Sequence, residues 1–182
     1  MAGLCRTLLL LCSLVLVGCG DDPASDIGAG APVTVTVTSP ALREGQAIPP
    51  RFTCDGPEQS PPLAWRGEGE HPAAWGLVVD DPDAPGGTFV HWVVLDIPAR
   101  FGAVREGEVP AGAVQATNSS GEVSYAGPCP PSGTHRYRFT VYALSVPTGL
   151  ADGADLEDAL AAIESAAEAR GTLVGTYGRG SA

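Results

Sequence analysis

The segment Phe89-Val90-His91-Trp92-Val93-Val94-Leu95-Asp96-Ile97 decides the fold, together with Ala74-Trp75-Gly76-Leu77-Val78-Val79 upstream of it. Both segments are nearly continuous apolar runs, rich in β-branched and aromatic side chains. This is the pattern of strands that are covered on both faces of a sheet. We therefore predict that these two segments are the central strands of the core.

Two further segments alternate in polarity, which indicates half-buried strands. Residues 33–38 place valines on one face and threonines on the other, and residues 136–144 place Tyr137, Phe139, Val141 and Ala143 on one face. Shorter strands are predicted at residues 52–54, 63–65 and 173–177, and an irregular surface excursion at residues 98–126. The sum predicts a mainly β protein with two packed sheets.

One helix is predicted near the C-terminus. Asp155 is a suitable N-cap residue. Leu156, Leu160, Ile163 and Ala167 then fall on one face of a helix that ends near residues 170–171.

The N-terminal segment has the features of a lipoprotein signal peptide. Arg6 precedes an apolar run over residues 7–17, which leads into Gly18-Cys19. The run is short for a transmembrane helix, and a small residue before cysteine is typical of lipidation and cleavage. We predict a signal peptide at residues 1–18, a lipidated Cys19 followed by a flexible tether to residue 32, and one domain at residues 33–180. The protein is then exported and membrane-anchored, on the periplasmic or cell-surface face; an uncleaved leader is the alternative.

Two cysteines remain in the predicted domain. Of the five in the chain, Cys5 and Cys12 leave with the signal peptide and Cys19 carries the lipid, so Cys54 and Cys129 are left. An even number in an oxidising compartment favours a disulfide over a metal site. Two separate buried thiols are the alternative.

The formal net charge of −11, with 21 acidic and 10 basic residues, argues against nucleic acid as a partner. Broad electrostatic attraction to nucleic acid or anionic headgroups needs an excess of positive charge. An anionic ligand must therefore be held by a local site.

Histidines and aspartates gather at the ends of the predicted strands. Asp81 and Asp83 flank Pro82 after the first central strand, and His135 begins the strand at residues 136–144. Such aspartates are also common turn formers, and His91 in its strand has the pattern of a core histidine bonded to a backbone carbonyl. Together, however, these side chains could orient imidazoles, bind a ligand or bind a metal.

Strict alternation along residues 89–97 places His91 on the same face as Phe89, Val93 and Leu95. Val90, Trp92 and Val94 then occupy the opposite face. His71, beside Pro72 in a charged loop, is predicted to be solvated.

Three motifs resemble the phosphatidylethanolamine-binding protein (PEBP) family, in particular its bacterial Raf kinase inhibitor-like branch. They are Asp81-Pro82-Asp83-Ala84-Pro85, Val90-His91-Trp92 and Gly127-Pro128-Cys129-Pro130-Pro131-Ser132-Gly133-Thr134-His135-Arg136-Tyr137. The resemblance extends from about residue 33 to residue 178, which is nearly the whole predicted domain.

The resemblance implies a sandwich of two antiparallel sheets with a C-terminal helix, and a pocket for phosphate, a phosphoethanolamine-like headgroup, acetate or a similar anion. It implies no cofactor, metal or catalytic residue. By motif position the ligand-binding residues are Asp81, Asp83, His91, Gly127, Pro130, Pro131, His135 and Tyr137. The predicted helix lacks the histidine that related bacterial proteins often carry.

Two other functions remain open. In a hydrolase, Asp81, Asp83 and the two histidines would bind a metal or act as general acid and base. The sequence contains neither a Gly-x-Ser-x-Gly nor a His-Glu-x-x-His motif. In a protein-interaction or inhibitor module, residues 98–126 would contact an unidentified protein partner.

Overall fold

The computed structural model describes residues 30–32, 34–67 and 71–179. The elements within these residues are β1 (Val35–Thr38), a 3₁₀ helix (Pro50–Phe52), β2 (Leu63–Gly67), β3 (Ala74–Asp81), β4 (Phe89–Pro98), β5 (Ala103–Val104), β6 (Val114–Gln115), β7 (Gly133–Leu144), α1 (Leu156–Ala166) and β8 (Ala167–Arg179).

The strands form two sheets with antiparallel neighbours. The smaller sheet has the order β1-β2-β5, and the larger has the order β6-β4-β3-β7-β8. All eight residues of β3 are buried, and β4 beside it is buried over most of its length. The predictions of a mainly β fold, two antiparallel sheets and two central strands are confirmed.

The large sheet is covered on both faces, which explains its continuous apolar runs. On one face, Trp75 packs against Trp65 of the small sheet, and Phe139 belongs to the same core cluster. On the other, Val78 and Leu144 pack against α1 through Ile163. Each central strand therefore needs apolar side chains at odd and even positions alike.

The helix ends earlier than predicted. It ends at Ala166, and the chain turns directly into β8, a strand of 13 residues that continues to Arg179. β8 pairs with β7 along its whole length, and this ladder outweighs the helix propensity of Ala167-Glu168-Ala169-Arg170. The backbone of Asp155 lies at the N-cap position, but its side chain makes no capping hydrogen bond.

The strand predicted at residues 52–54 is wrong. Pro50–Phe52 is a 3₁₀ helix, and the Thr53 amide donates to the Pro50 carbonyl at 3.0 Å. Proline fixes φ and favours the first position of such a turn. The strands predicted at residues 33–38 and 63–65 are confirmed as β1 and β2, although Val33 lies outside the described residues. The surface excursion predicted at residues 98–126 begins after Pro98, the last residue of β4, and is irregular apart from the two-residue strands β5 and β6.

The predicted signal peptide, the lipidated Cys19 and the tether up to residue 29 lie outside the described residues. Among the residues that are described, no helix is long and apolar enough to cross a bilayer.

Candidate ligand-binding site

A cavity of about 350 Å³ lies at one end of the large sheet, where β3 ends and where β4 and β7 begin. Antiparallel pairing brings these three strand ends together. The cavity is lined by Cys54, Glu58, Asp81, Ala84, Pro85, Phe89, His91, Ser120, Ala126, Gly127, Cys129, Pro130, Pro131, His135 and Tyr137.

A β-bulge turns His91 into this cavity. Val79 of β3 pairs with Trp92, and the next residue, Asp80, pairs with Val90, so His91 has no partner in the ladder. An extra residue of this kind resets the alternation of side chains. Trp92 and Val94 therefore face the small sheet, whereas Val90, Val93 and Leu95 face α1. The prediction that His91 shares a face with Val93 and Leu95 is wrong, because strict alternation assumes an unbroken ladder.

The His91 ring is held by a backbone carbonyl and two aromatic rings. Its Nδ1 lies 2.9 Å from the Ala126 carbonyl oxygen. The ring centroids of Phe89 and Tyr137 lie 4.8 Å and 5.3 Å from its own. Burial lowers the pKa of His91 below 6.5, although the Ala126 carbonyl and the Asp81 carboxylate act in the opposite direction.

His135 is held by a carboxylate. Its Nδ1 lies 2.7 Å from Oδ2 of Asp81, and both side chains are almost fully buried. The other Asp81 oxygen accepts a hydrogen bond from the Asp83 amide at 2.8 Å. The carboxylate is therefore fixed by the turn that follows β3, and it fixes the imidazole in turn.

The neighbouring aspartates pair with arginines of β7. Asp83 accepts hydrogen bonds from the Arg136 backbone amide at 2.9 Å and from its guanidinium Nε at 2.8 Å. This contact lowers the pKa of Asp83 from 3.8 to about 2. Asp80 forms a two-point ion pair with Arg138, with Nε and Oδ1 2.9 Å apart. Asp83 is not among the residues that line the cavity, whereas Asp81 is.

Tyr137 contributes a buried hydroxyl group. The residue has no exposed surface and lines the cavity. Its hydroxyl makes no hydrogen bond of normal geometry among the described residues, although the Asp81 carboxylate and the Cys129 backbone are close enough to influence its pKa. Burial and the nearby Asp81 carboxylate raise the pKa of this hydroxyl far above its ordinary value, so it stays protonated. A buried polar group without a partner is uncommon in native proteins.

Loops form the opposite wall of the cavity, and a disulfide joins them. Cys54 and Cys129 are bonded, with their Cα atoms 5.4 Å apart, so the disulfide prediction is confirmed. Beside it, the Cys54 amide donates to the Pro128 carbonyl at 3.2 Å. A Cβ on Gly127 would lie 2.8 Å from the Thr53 carbonyl carbon, which explains the glycine at this close approach.

Seven of the eight residues predicted from motif position line this one cavity, and Asp83 does not. The sequence reasoning did not identify Phe89, Ser120 or Glu58. Phe89 lies two residues before His91, and this spacing is the sequence feature that could have identified Phe89 as a lining residue. Ser120 and Glu58 come from irregular segments, and no sequence pattern marks them.

Among the described residues, the lining includes two imidazoles, two carboxylates, and no arginine or lysine. Negative charge on a ligand would have to be met by imidazole, hydroxyl and backbone N–H groups. Among the described residues there is no group of three or more histidine, cysteine, aspartate or glutamate side chains placed to hold a metal ion.

Comparison with known proteins agrees with this geometry. The family model described as "Phosphatidylethanolamine-binding protein" matches residues 38–178. The chain belongs to the phosphatidylethanolamine-binding protein family. The resemblance stated from the motifs is thereby confirmed.

Relatives in this family include proteins from archaea and bacteria. The UPF0098 protein of Methanothermobacter thermautotrophicus is 43% identical over 145 residues, which cover 77% of this chain and 96% of the relative. Mycobacterium tuberculosis LppC, whose name describes it as a candidate lipoprotein, is 44% identical over 151 residues, or 82% of this chain and 75% of the relative.

A solved structure has the same fold. The crystal structure of a PEBP homologue from Chlamydia trachomatis superposes with a TM-score of 0.74 at 34% identity. The match covers 80% of this chain and 98% of the homologue.

Proposed function

We propose that this PEBP-family protein binds a small anionic or phosphoryl-headgroup ligand in the cavity and does not catalyse a reaction. Candidate ligands are phosphate, a phosphoethanolamine-like headgroup and an acetate-like carboxylate. The binding groups are Asp81, His91, His135 and Tyr137, and Gly127, Pro130 and Pro131 shape the wall.

The observation that carries this proposal is the Tyr137 hydroxyl. It is buried in the cavity lining, it is protonated, and it makes no hydrogen bond of normal geometry among the described residues. A donor in this state gains a hydrogen bond when an oxygen of a ligand enters. The two imidazoles line the same cavity, so polar groups from β4 and β7 would converge on one small group.

The noncatalytic part of the proposal rests on the absence of an activated nucleophile from the described lining. Both sulfur atoms of Cys54 and Cys129 are used in the disulfide. Ser132, which precedes His135 in the motif, is exposed and is not a lining residue. The Asp81–His135 pair thus orients an imidazole to which no hydroxyl or thiol nucleophile is bonded among the described residues.

Calorimetric titration tests this function. The full-length protein, purified in a non-ionic detergent, is titrated with phosphate, phosphoethanolamine and acetate. We expect saturable binding, and His135→Ala should weaken it more than tenfold because a charge-assisted contact is lost. His71→Ala is the matched control, since His71 is exposed and lies outside the cavity lining. If no ligand binds, the proposed function is wrong and a protein partner or hydrolysis becomes the leading alternative.

We further propose that Cys19 carries a lipid and anchors the exported protein to a membrane. The short apolar leader before Gly18-Cys19 and the name of the mycobacterial relative LppC support this. A diacyl group is sufficient for stable membrane attachment. Metabolic labelling with a palmitate analogue should mark the wild-type protein, and Cys19→Ser should abolish the label while Cys12→Ser should not.

A further inference from the structure

Both cavity histidines have the same ring nitrogen occupied by an oxygen acceptor. Nδ1 of His91 faces the Ala126 carbonyl at 2.9 Å, and Nδ1 of His135 faces the Asp81 carboxylate at 2.7 Å. These oxygens only accept hydrogen bonds, so Nδ1 carries the proton in both rings. Nε2 is the remaining polar atom of each ring, and in a neutral imidazole it is an acceptor. Each ring therefore offers a ligand an acceptor until the ring gains a second proton.

Two carboxylates and several neutral groups surround the two imidazole rings. His91 is approached by Asp81 of β3 and by His135 and Tyr137 of β7. His135 is approached by Asp81 and Asp83, and its partner across the ladder is Tyr177 of β8.

Two more charged groups complete this environment. Glu58 lies in the cavity lining, and the Arg136 guanidinium is paired with Asp83. An anion without a transferable proton would thus meet two imidazole acceptors and two carboxylates. Among the described lining residues, the side-chain donors left for it are the Tyr137 and Ser120 hydroxyls.

We propose that the cavity binds its anionic group together with one proton, and that it therefore selects phosphomonoesters over phosphodiesters. This inference rests on the proposed anion-binding function. A monoester has a second ionisation near pH 6, so near neutral pH it can carry a P–OH proton into the cavity. The P–OH group either donates a hydrogen bond to Nε2 of one histidine or transfers its proton to that nitrogen. After transfer, the resulting imidazolium donates to a phosphoryl oxygen.

A phosphodiester has no proton to give near neutral pH. Its binding requires an imidazole that has taken a proton from bulk water, and the buried site of His91 resists that step because charge is costly where water is excluded. We expect methyl phosphate to bind at least about tenfold more tightly than dimethyl phosphate at pH 7.5. The ratio should be smaller at pH 5.5, where bulk protons are abundant.

Titration calorimetry of the full-length protein in non-ionic detergent tests the inference. Methyl phosphate and dimethyl phosphate are compared at pH 7.5 in HEPES and in Tris, and at pH 5.5 in MES, after each buffer has been checked for competition. At pH 7.5 the heat for methyl phosphate should depend on the ionisation enthalpy of the buffer, with net uptake of protons. Equal affinity for the two esters, or heat that does not depend on the buffer, would overturn the inference while leaving the anion pocket intact. Failure of both esters and of phosphate to bind would instead refute the proposed function.

A His91→Gln variant tests whether the preference for the monoester depends on a titrating side chain or only on the shape of the cavity. The glutamine amide donates a hydrogen bond without titrating, so the preference for the monoester should fall by a factor of about three or more and proton uptake should decrease. His71→Ala serves as the control, because His71 is an exposed histidine outside the cavity lining, and both quantities should match the wild type. An unchanged ester ratio and proton uptake in His91→Gln and in His135→Gln would also count against the inference.

Discussion

The two walls of the cavity are built in different ways. The sheet wall carries Asp81, His91, His135 and Tyr137 on β3, β4 and β7, which are fixed by the ladders of the large sheet and by packing on both faces. The loop wall carries Cys54, Gly127, Cys129 and Pro130, which are fixed by one disulfide and a few hydrogen bonds. The chemistry thus lies on the rigid wall and the shape depends on the loops. Changes in the loop wall should reduce stability and affinity together, whereas changes in the sheet wall should reduce affinity alone.

Removal of the disulfide should have the largest effect. Cys54 and Cys129 are 75 residues apart, and the chain-entropy estimate for a loop of this length is about 4 kcal/mol. Urea unfolding of a Cys54→Ala/Cys129→Ala double variant should show a loss of this order, and phosphate should bind more weakly. Unchanged stability would mean that the loop wall is held by other contacts.

Gly127→Ala should have the next largest effect. The new Cβ would meet the Thr53 backbone at 2.8 Å, and neither segment can yield without moving the wall. We expect a loss of about 1–3 kcal/mol, as for overpacking of a core, together with weaker phosphate binding. Gly86→Ala is the control, because the space around Gly86 is open, and its melting temperature should remain near that of the wild type.

Two tyrosine substitutions compare the walls directly. The Tyr125 hydroxyl donates to the Phe52 carbonyl at 2.9 Å and ties the loops together, so Tyr125→Phe should cost about 1 kcal/mol of unfolding free energy. Tyr137→Phe breaks no hydrogen bond among the described residues, so its stability should be equal to or above that of the wild type. It should nevertheless bind phosphate several-fold more weakly. A clear loss of stability in Tyr137→Phe would contradict the assignment of a free hydroxyl.

The smallest expected effect concerns Asp83, which lies just outside the cavity. Its pKa is lowered from 3.8 to about 2 in the folded protein, so its pairing with Arg136 stabilises the fold above about pH 4. This contribution should be lost as the pH falls from about 4 to about 2, because the folded state then takes up its proton at lower pH than the unfolded state. The difference in unfolding free energy between wild type and Asp83→Asn, measured at pH 6 and pH 3, should shrink at the lower pH. Phosphate affinity at pH 6 should be similar in the two proteins.

The strands were the most predictable part of the molecule. Alternation in β1 and β7 and the apolar runs of β3 and β4 arise from local burial, and burial leaves a periodic signal in the sequence. The end of α1 was not predictable in this way. Residues 167–170 favour a helix locally, and only pairing with β7, more than 20 residues upstream, makes them a strand.

In the candidate site, too, some features were predictable from local sequence and others depended on contacts between distant residues. The motifs correctly identified seven residues that line the cavity, but they also assigned Asp83 to it. The side chain of Asp83 is occupied by Arg136, 53 residues further along the chain. The orientation of His91 likewise depends on a bulge, which is a property of the register between β3 and β4.

The sequence by itself determined the two-sheet core, the family and the set of residues near the cavity, because periodicity and motif spacing are written along the chain. The tertiary structure alone decided which aspartate meets a histidine, which face His91 occupies, and which hydroxyl is left without a partner among the described residues. These features depend on the register between strands that are far apart in sequence. A one-residue shift in register reverses the direction of a side chain, and no local pattern records that shift.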